Sequence, residues 1–358
     1  MTLLSRREWL AMSAAATAAA ASPAAARTRV RLSLNENAWG PSPRVAPAIR
    51  AAAVGVERYV EQVEVDALTR QIAALERVAP EQVVIGEVLE ALGLYLARQR
   101  AGGGGIVFSA PGYTALVDAA APLGGRAVPV PLDARLENDL TALARAIDAD
   151  TLAVSLVNPH NPSGTTGDAA AFHAFVAAAA RRTLVVVDEA YLEYDDLAAR
   201  SAIRHVRAGA NVLVFRTLAK IYGLAGLSIG YAIAPAALAR RLRDAGIGAP
   251  HSLARPSLAA AGAALADQRH VAAVRAGVAA ERDRLHGVLD ALGLRHSDSR
   301  ADFVFFRSDD APRLRAAFTA AGIEIARAFP PLDDWIRITV GRPAENDQVI
   351  AVLRRANR

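Results

Sequence analysis

Leu184-Val185-Val186-Val187-Asp188-Glu189-Ala190-Tyr191 is the stretch that decides the fold. Its first four residues are apolar and three of them are β-branched, so no polar face remains. Such a run reads as a strand covered on both sides, the habit of a parallel sheet flanked by helices. It stops at a carboxylate. Outward from it the pattern repeats: Val83–Ile85, Ile106–Ser109, Ala127–Val130, Leu152–Val157, Val212–Arg216 and Gly230–Ile233 are short apolar runs separated by longer Ala/Leu/Arg stretches of helical period. This βαβ rhythm predicts an α/β fold whose large domain is built on a mostly parallel seven-stranded sheet with helices on both faces. Beyond about residue 240 long helical stretches take over, with Phe303–Arg307 and Trp335–Val340 as later strands, predicting a smaller α+β domain at the C-terminus. The division expected is a leader over 1–26, an N-terminal arm over 27–50, a large domain over 51–245 and a small domain over 246–358.

The chain has 358 residues, 53% of them hydrophobic, and no cysteine. That excludes a disordered tail, a disulfide scaffold and a collagen-like fibre. Forty-one basic residues face 36 acidic ones for a net charge of +5, and the two signs alternate without a basic block, which argues against a nucleic-acid surface. The seven histidines are scattered and form no H-E-x-x-H pattern, so no metal site is expected. Near the start, Ser5-Arg6-Arg7-Glu8-Trp9-Leu10 leads into an Ala-rich run to Ala21 and then Ala24-Ala25-Ala26. This resembles a twin-arginine export signal with an A-x-A cleavage site. The expectation is a mature chain from Arg27 located in the periplasm, or in the cytoplasm if the signal is not used, with no membrane insertion of the mature chain.

Lys220 is the only lysine in the sequence; every other basic position is arginine. A guanidinium replaces an ammonium wherever charge suffices, but it cannot lose its proton and act as an amine nucleophile, so the surviving lysine is a candidate for Schiff-base chemistry. It also lies at a telling place. In an open parallel sheet ligands sit beyond the carboxyl ends of the strands, and three such ends carry unusual residues. One is Asp188. The others are Asn158-Pro159-His160-Asn161-Pro162-Ser163-Gly164 after Val157, and Arg216-Thr217-Leu218-Ala219-Lys220.

Taken in order, Leu34-Asn-Glu-Asn37 with Gly40-Pro-Ser-Pro43, Asn158 to Thr165, Val187-Asp188-Glu-Ala-Tyr191, Arg216 to Lys220 with Gly223-Leu-Ala-Gly226-Leu, and Ile336-Arg337-Ile-Thr-Val-Gly341 resemble the class I/II, fold type I, pyridoxal-phosphate aminotransferases. The subgroup most similar is the one containing histidinol-phosphate aminotransferase, and the resemblance runs from about Leu32 to the C-terminus. It implies a transaminase that moves an amino group between an amino acid, or an amino-phosphate compound, and a 2-oxo acid, with pyridoxal 5′-phosphate as cofactor. Lys220 would carry the cofactor aldehyde and shuttle the proton at the substrate Cα. Asp188 would pair with the pyridine nitrogen. Asn161 and Tyr191 would bond the phenolic oxygen, and Tyr113 would stack on the ring. Arg337 would grip the substrate's anionic group with Arg327 as a second anion contact, and Asn37 is a further substrate-binding candidate. Tyr59 would reach the cofactor phosphate of a neighbouring subunit, so a homodimer is implied.

The chain departs from the family in the phosphate cradle. Gly86-Glu87-Val88-Leu89-Glu90 stands where a Gly/Ser/Ala-rich turn is expected, Ala219 where a serine would be, and Ser228 where an arginine would be. Backbone N–H groups at the helix start remain available, with Thr217, Ser228 and Tyr59 as hydroxyl contacts, but the missing arginine removes a charge-assisted pair of about 1.5–3 kcal/mol. Weaker cofactor binding is expected. Two further readings remain open at this point: a decarboxylase or racemase on the same fold, and a non-catalytic binding protein that has lost its cradle. A serine-hydrolase reading of Gly226-Leu-Ser228-Ile-Gly230 is disfavoured, because that motif needs a strand before the serine and a helix after it, and here an apolar strand-like run follows.

Overall fold

The computed structural model describes residues 29–100 and 102–357; the leader expected over 1–26 lies outside them. Eleven strands are present among the described residues: β1 (Val30–Leu32), β2 (Val83–Ile85), β3 (Gly105–Ala110), β4 (Arg126–Pro131), β5 (Thr151–Val157), β6 (Leu184–Asp188), β7 (Val212–Thr217), β8 (Gly230–Ile233), β9 (Phe303–Arg307), β10 (Ile323–Ile325) and β11 (Trp335–Thr339). Seven of them form one sheet in the order β2-β8-β7-β6-β5-β3-β4. Neighbours β7, β6, β5, β3 and β4 run parallel, and β8 alone is reversed, being antiparallel to both β2 and β7. The run that opened the reading, β6, sits at the centre with every residue buried, which is why it could afford no polar face.

All seven expected strands of the large sheet are present. The pairing of β1 with β10 was not anticipated. It joins the N-terminal arm to the C-terminal part of the chain in parallel register, Val30 opposite Ile323 and Leu32 opposite Ile325. Each partner is only three residues long, too short for a period of two to register. The remaining sheet pairs β9 with β11 antiparallel. One cluster of buried apolar side chains runs continuously from Val154 and Val187 under the large sheet to Phe303 and Ile338 in this pair.

Because β8 alone is reversed, the carboxyl ends of β2, β3, β5, β6 and β7 all open on one edge, with the start of β8 beside them. Two glycines let other segments close over that edge. A Cβ on Gly223, whose φ is +72°, would come within 2.7 Å of the Pro41 nitrogen, so only glycine lets the arm press against the loop after Lys220. A Cβ on Gly164, φ +75°, would overlap the Ser299 hydroxyl and push the C-terminal segment off the Asn161 loop.

Candidate active site

At this edge lies a cavity of about 330 Å³ whose lining includes Tyr113 from the β3 end, Asn161 from the β5 loop, Asp188 and Tyr191 from the β6 end, and Thr217, Ala219 and Lys220 from the β7 end. Glu87, Glu90 and Ser228 complete one wall. Residues from successive strand ends, spread from Glu87 to Ser228 in the sequence, therefore converge.

Asp188 is buried and accepts the Ala190 N–H at 2.9 Å through Oδ1. Burial pushes its carboxyl up to about 7, against the pull of that N–H; Glu87 adds to the rise and Lys220 opposes it. An acid so placed gains from a cationic partner in the cavity. The Lys220 ammonium donates to the Leu34 carbonyl at 3.1 Å and lies 5.7 Å from the centre of the Tyr191 ring. The arm thus supports the lysine from behind.

Tyr191 is the hub of a polar chain. Its hydroxyl accepts from Asn35 Nδ2 at 3.0 Å and from Asn161 Nδ2 at 3.4 Å. A phenol that accepts twice keeps its own proton to donate. Arg337 donates through Nη1 to Asn161 Oδ1 and through Nη2 to the Ser33 carbonyl at 3.0 Å. Its guanidinium lies between the rings of Phe303 and Phe329, 5.2 and 5.0 Å from their centres, and its Nε is buried without a partner. A buried cation with an unsatisfied donor suits an anion; Arg337 is not among the residues lining the cavity and touches it through Asn161. Arg327 is exposed and lies on the same Phe329 ring at 4.9 Å, so the two arginines meet around one aromatic.

Other expected residues are placed differently. Asn37 does not line the cavity: its Nδ2 bonds the carbonyls of Gly40 and Ile221 at 3.2 and 2.8 Å and its Oδ1 accepts the Trp39 N–H, so it ties the arm to the lysine loop. Asn35, two residues earlier, is the arm residue that reaches Tyr191, and the same amide meets the Thr339 hydroxyl. Nothing in the Leu34–Asn37 motif distinguished the two asparagines, since both are of one type in one loop. Thr217 lines the cavity, yet its hydroxyl is committed to Glu87 Oε1 at 2.7 Å rather than free for a cofactor. Tyr59 is 83% exposed on the surface of the single chain. Ser228 stands before β8 in a left-handed conformation, φ +44°, the reverse of the strand-then-helix context a hydrolase serine needs. Glu87 itself carried no signal in the sequence beyond being out of place.

The donor set fits pyridoxal phosphate at its ring: a lone lysine, a buried acid, a tyrosine and an asparagine share one cavity. At the other wall the N-terminus of the helix Val88–Ala97 offers main-chain N–H groups, but the side chains there are Glu87, Glu90, Thr217, Ala219 and Ser228, with no arginine among the cavity-lining residues.

The chain is similar to known proteins over most of its length. The family model described as aminotransferase class I and II matches residues 27–353. The chain is 37% identical over 323 residues to histidinol-phosphate aminotransferase 2 of Caulobacter vibrioides, covering 90% of this chain and 85% of that protein. It is 36% identical over 323 residues to an aromatic amino acid aminotransferase of Rhodococcus jostii, covering 89% and 88%. The crystal structure of histidinol-phosphate aminotransferase from Sinorhizobium meliloti in complex with pyridoxal-5′-phosphate superposes with a TM-score of 0.83 at 33% identity, over 92% of this chain and 91% of that one.

Proposed function

Since the chain belongs to the class I and II aminotransferase family, we propose that its pyridoxal-phosphate-dependent transamination is carried by the cavity at the strand ends, with Lys220 as its reactive amine. The enzyme moves an amino group between an amino compound and an oxo acid. The observation that carries the site assignment is the convergence of Lys220, Asp188, Asn161, Tyr191 and Tyr113 on one cavity. When bound, pyridoxal phosphate supplies an aldehyde that condenses with amines and a ring that accepts the electron pair left at the substrate Cα.

The chain's own residues supply the rest. Asp188 would pair with the ring nitrogen and keep it protonated, and burial would make that pairing favourable because an unpaired carboxylate there is costly. Tyr191 donates its hydroxyl proton to the phenolic oxygen, oriented by the two asparagine amides. Lys220, the one amine lining the cavity, would take the proton from the substrate Cα and hand it on as general acid. Tyr113, which lines the same cavity, would cover the ring face. Arg337 would receive the carboxylate or phosphate of the substrate through its planar fork, with the exposed Arg327 beside the same Phe329 ring as a second anion contact. The substrate class favoured is an amino acid or amino phosphate whose anion Arg337 would take, in keeping with the histidinol-phosphate and aromatic amino acid aminotransferases among the relatives. The test is a half-reaction: the loaded protein mixed with a pool of amino acids converts the cofactor to its amine form without releasing carbon dioxide. Carbon dioxide release, or racemisation with no net amine gain, would move the reading to another reaction of the same cofactor.

The same reading extends to assembly and address. A homodimer is supported by Tyr59, Val54, Val56, Val63 and Leu34, large apolar side chains left exposed on the single chain; sedimentation at the monomer mass would refute it. Export by the twin-arginine route to the periplasm is supported by Arg6-Arg7, the Ala24-Ala25-Ala26 site and a family match that begins at residue 27. Replacing both arginines with lysine should leave the protein in the cytoplasmic fraction, and unchanged fractionation would refute it.

A further inference from the structure

The wall of the cavity opposite the ring-binding groups has the wrong charge for a phosphate. It holds Glu87 and Glu90 at the start of the helix Val88–Ala97, whose N–H groups would meet a phosphate, and Lys220 is the one cation lining the cavity. Glu87 is held in a specific way. Its Oε1 accepts the Thr217 hydroxyl at 2.7 Å, while the Thr217 oxygen accepts the Ala219 N–H at 3.1 Å, so the direction of that hydroxyl is fixed. The second carboxyl oxygen of Glu87 makes no hydrogen bond among the described residues, and Glu87 is one of the residues that line the cavity. Resting on the cofactor site described above, we propose that Glu87 holds the cofactor phosphate as a neutral carboxylic acid, accepting from Thr217 on one oxygen and donating its proton from the other to a phosphate oxygen. Cofactor retention is then linked to one proton and weakens as pH rises.

The surroundings favour that protonation. Burial raises the Glu87 pKa, ahead of the opposing pull of the Thr217 hydrogen bond. The charged and titratable groups facing it are Glu90 on its own helix, Tyr113 from the loop after β3, Asp188 at the end of β6 and Lys220 after β7. Of these only Lys220 favours the carboxylate; an arriving phosphate opposes it further. An acid O–H donates where a carboxylate can only accept, so this residue gives back part of what the missing arginine would supply, and does so only while protonated.

The test is the dissociation constant of pyridoxal phosphate for the cofactor-free full chain between about pH 7 and pH 9, above the phosphate's own ionisation near 6. It is measured beside pyridoxal, which lacks the phosphate, and repeated with Glu87→Gln and Glu90→Gln. Changes at Lys220 and Asp188 act on both ligands and cancel in their ratio. In the wild type the ratio of the two constants should rise with pH, by up to about tenfold per unit and about tenfold or more in all. Glu87→Gln keeps a donor that does not titrate, so its ratio should stay level, while Glu90→Gln should keep the rise. A level wild-type ratio overturns the proposal without needing any variant to fold; a rise that disappears with Glu90→Gln instead overturns the assignment to Glu87. If pyridoxal phosphate gives no Lys220-dependent absorbance at any pH, the cofactor site itself is wrong and the proposal falls with it. Binding that is visible but insensitive to pH sinks the proposal alone.

Discussion

Arg337 shows how single residues decide this site. It is a buried guanidinium with one N–H lacking a partner and its fork turned toward Asn161 at the cavity. Burial lowers its pKa from the ordinary arginine value, the nearby Tyr191 and Asp302 opposing that drop, so a substrate anion restores what desolvation removed. Arg337→Lys keeps the charge but loses the planar two-donor geometry. It should lower kcat/KM by about tenfold to a hundredfold, on the scale of about 1.5–3 kcal/mol for a charge-assisted pair, mostly through KM. Steady-state kinetics on the best amino donor checks this, and an unchanged KM would remove Arg337 from the substrate site. Lys220 was legible because it is unique in the chain, and Asp188 because it ends a fully apolar run. Asn35 was hidden beside an identical residue. Glu87 was visible only as a break in a pattern, since its burial and its bond to Thr217, 130 residues away, exist only in the fold.

At the scale of elements, β6 and β7 are held by more than their ladder. Arg216 in β7 is 2% exposed and donates to Glu76 at 2.6 Å, to Glu189 at 2.9 Å and to Ser201 at 3.0 Å, while the Tyr231 hydroxyl of β8 donates to Glu76 at 2.6 Å. This buried network lies next to Asp188 and fixes the position of the strand end that carries it. Arg216→Leu would leave two carboxylates buried without a counter-charge. It should cost about 3–5 kcal/mol, a fall in Tm on the order of 10 °C at roughly 2–4 °C per kcal/mol. A thermal scan unchanged within a degree or two would mean that the network contributes nothing to stability. The large sheet could be read from sequence because buried strands cannot alternate and so announce themselves. The three-residue pair β1 and β10 could not, because it is set by the arm folding back onto the C-terminal part over nearly the whole chain length. The network was equally hidden: Glu76 ends a helix, Glu189 follows a strand, and each alone looks like a surface charge.

The whole molecule carries a pH signature. Burial pushes Asp188, Glu193 and Asp302 each up to about 7. An acid whose folded pKa lies above its unfolded one near 4 contributes stability that is fully present below about pH 4 and is lost as pH rises through about 7. His160 and His286, held neutral by burial with values lowered to about 3 and about 4, pull the other way, so the clean test is differential. Both Asp302 carboxyl oxygens are buried without a hydrogen-bond partner. Asp302→Asn should therefore gain in Tm relative to the wild type on going from about pH 5 to pH 8, by several degrees in the cofactor-free protein. A constant difference would show that Asp302 is not the strained acid its burial implies. The same edge of the sheet gathers the lysine, the buried acid and the anion-ready arginine, and the catalytic reading stands or falls on the lysine. Because Lys220 is the only lysine in the chain, borohydride reduction of the protein loaded with pyridoxal phosphate, followed by peptide mass mapping, tests it directly. The pyridoxyl mass should appear on the peptide containing Lys220 and vanish in Lys220→Ala; label confined to the terminal amine, or none at all, would place the chemistry elsewhere.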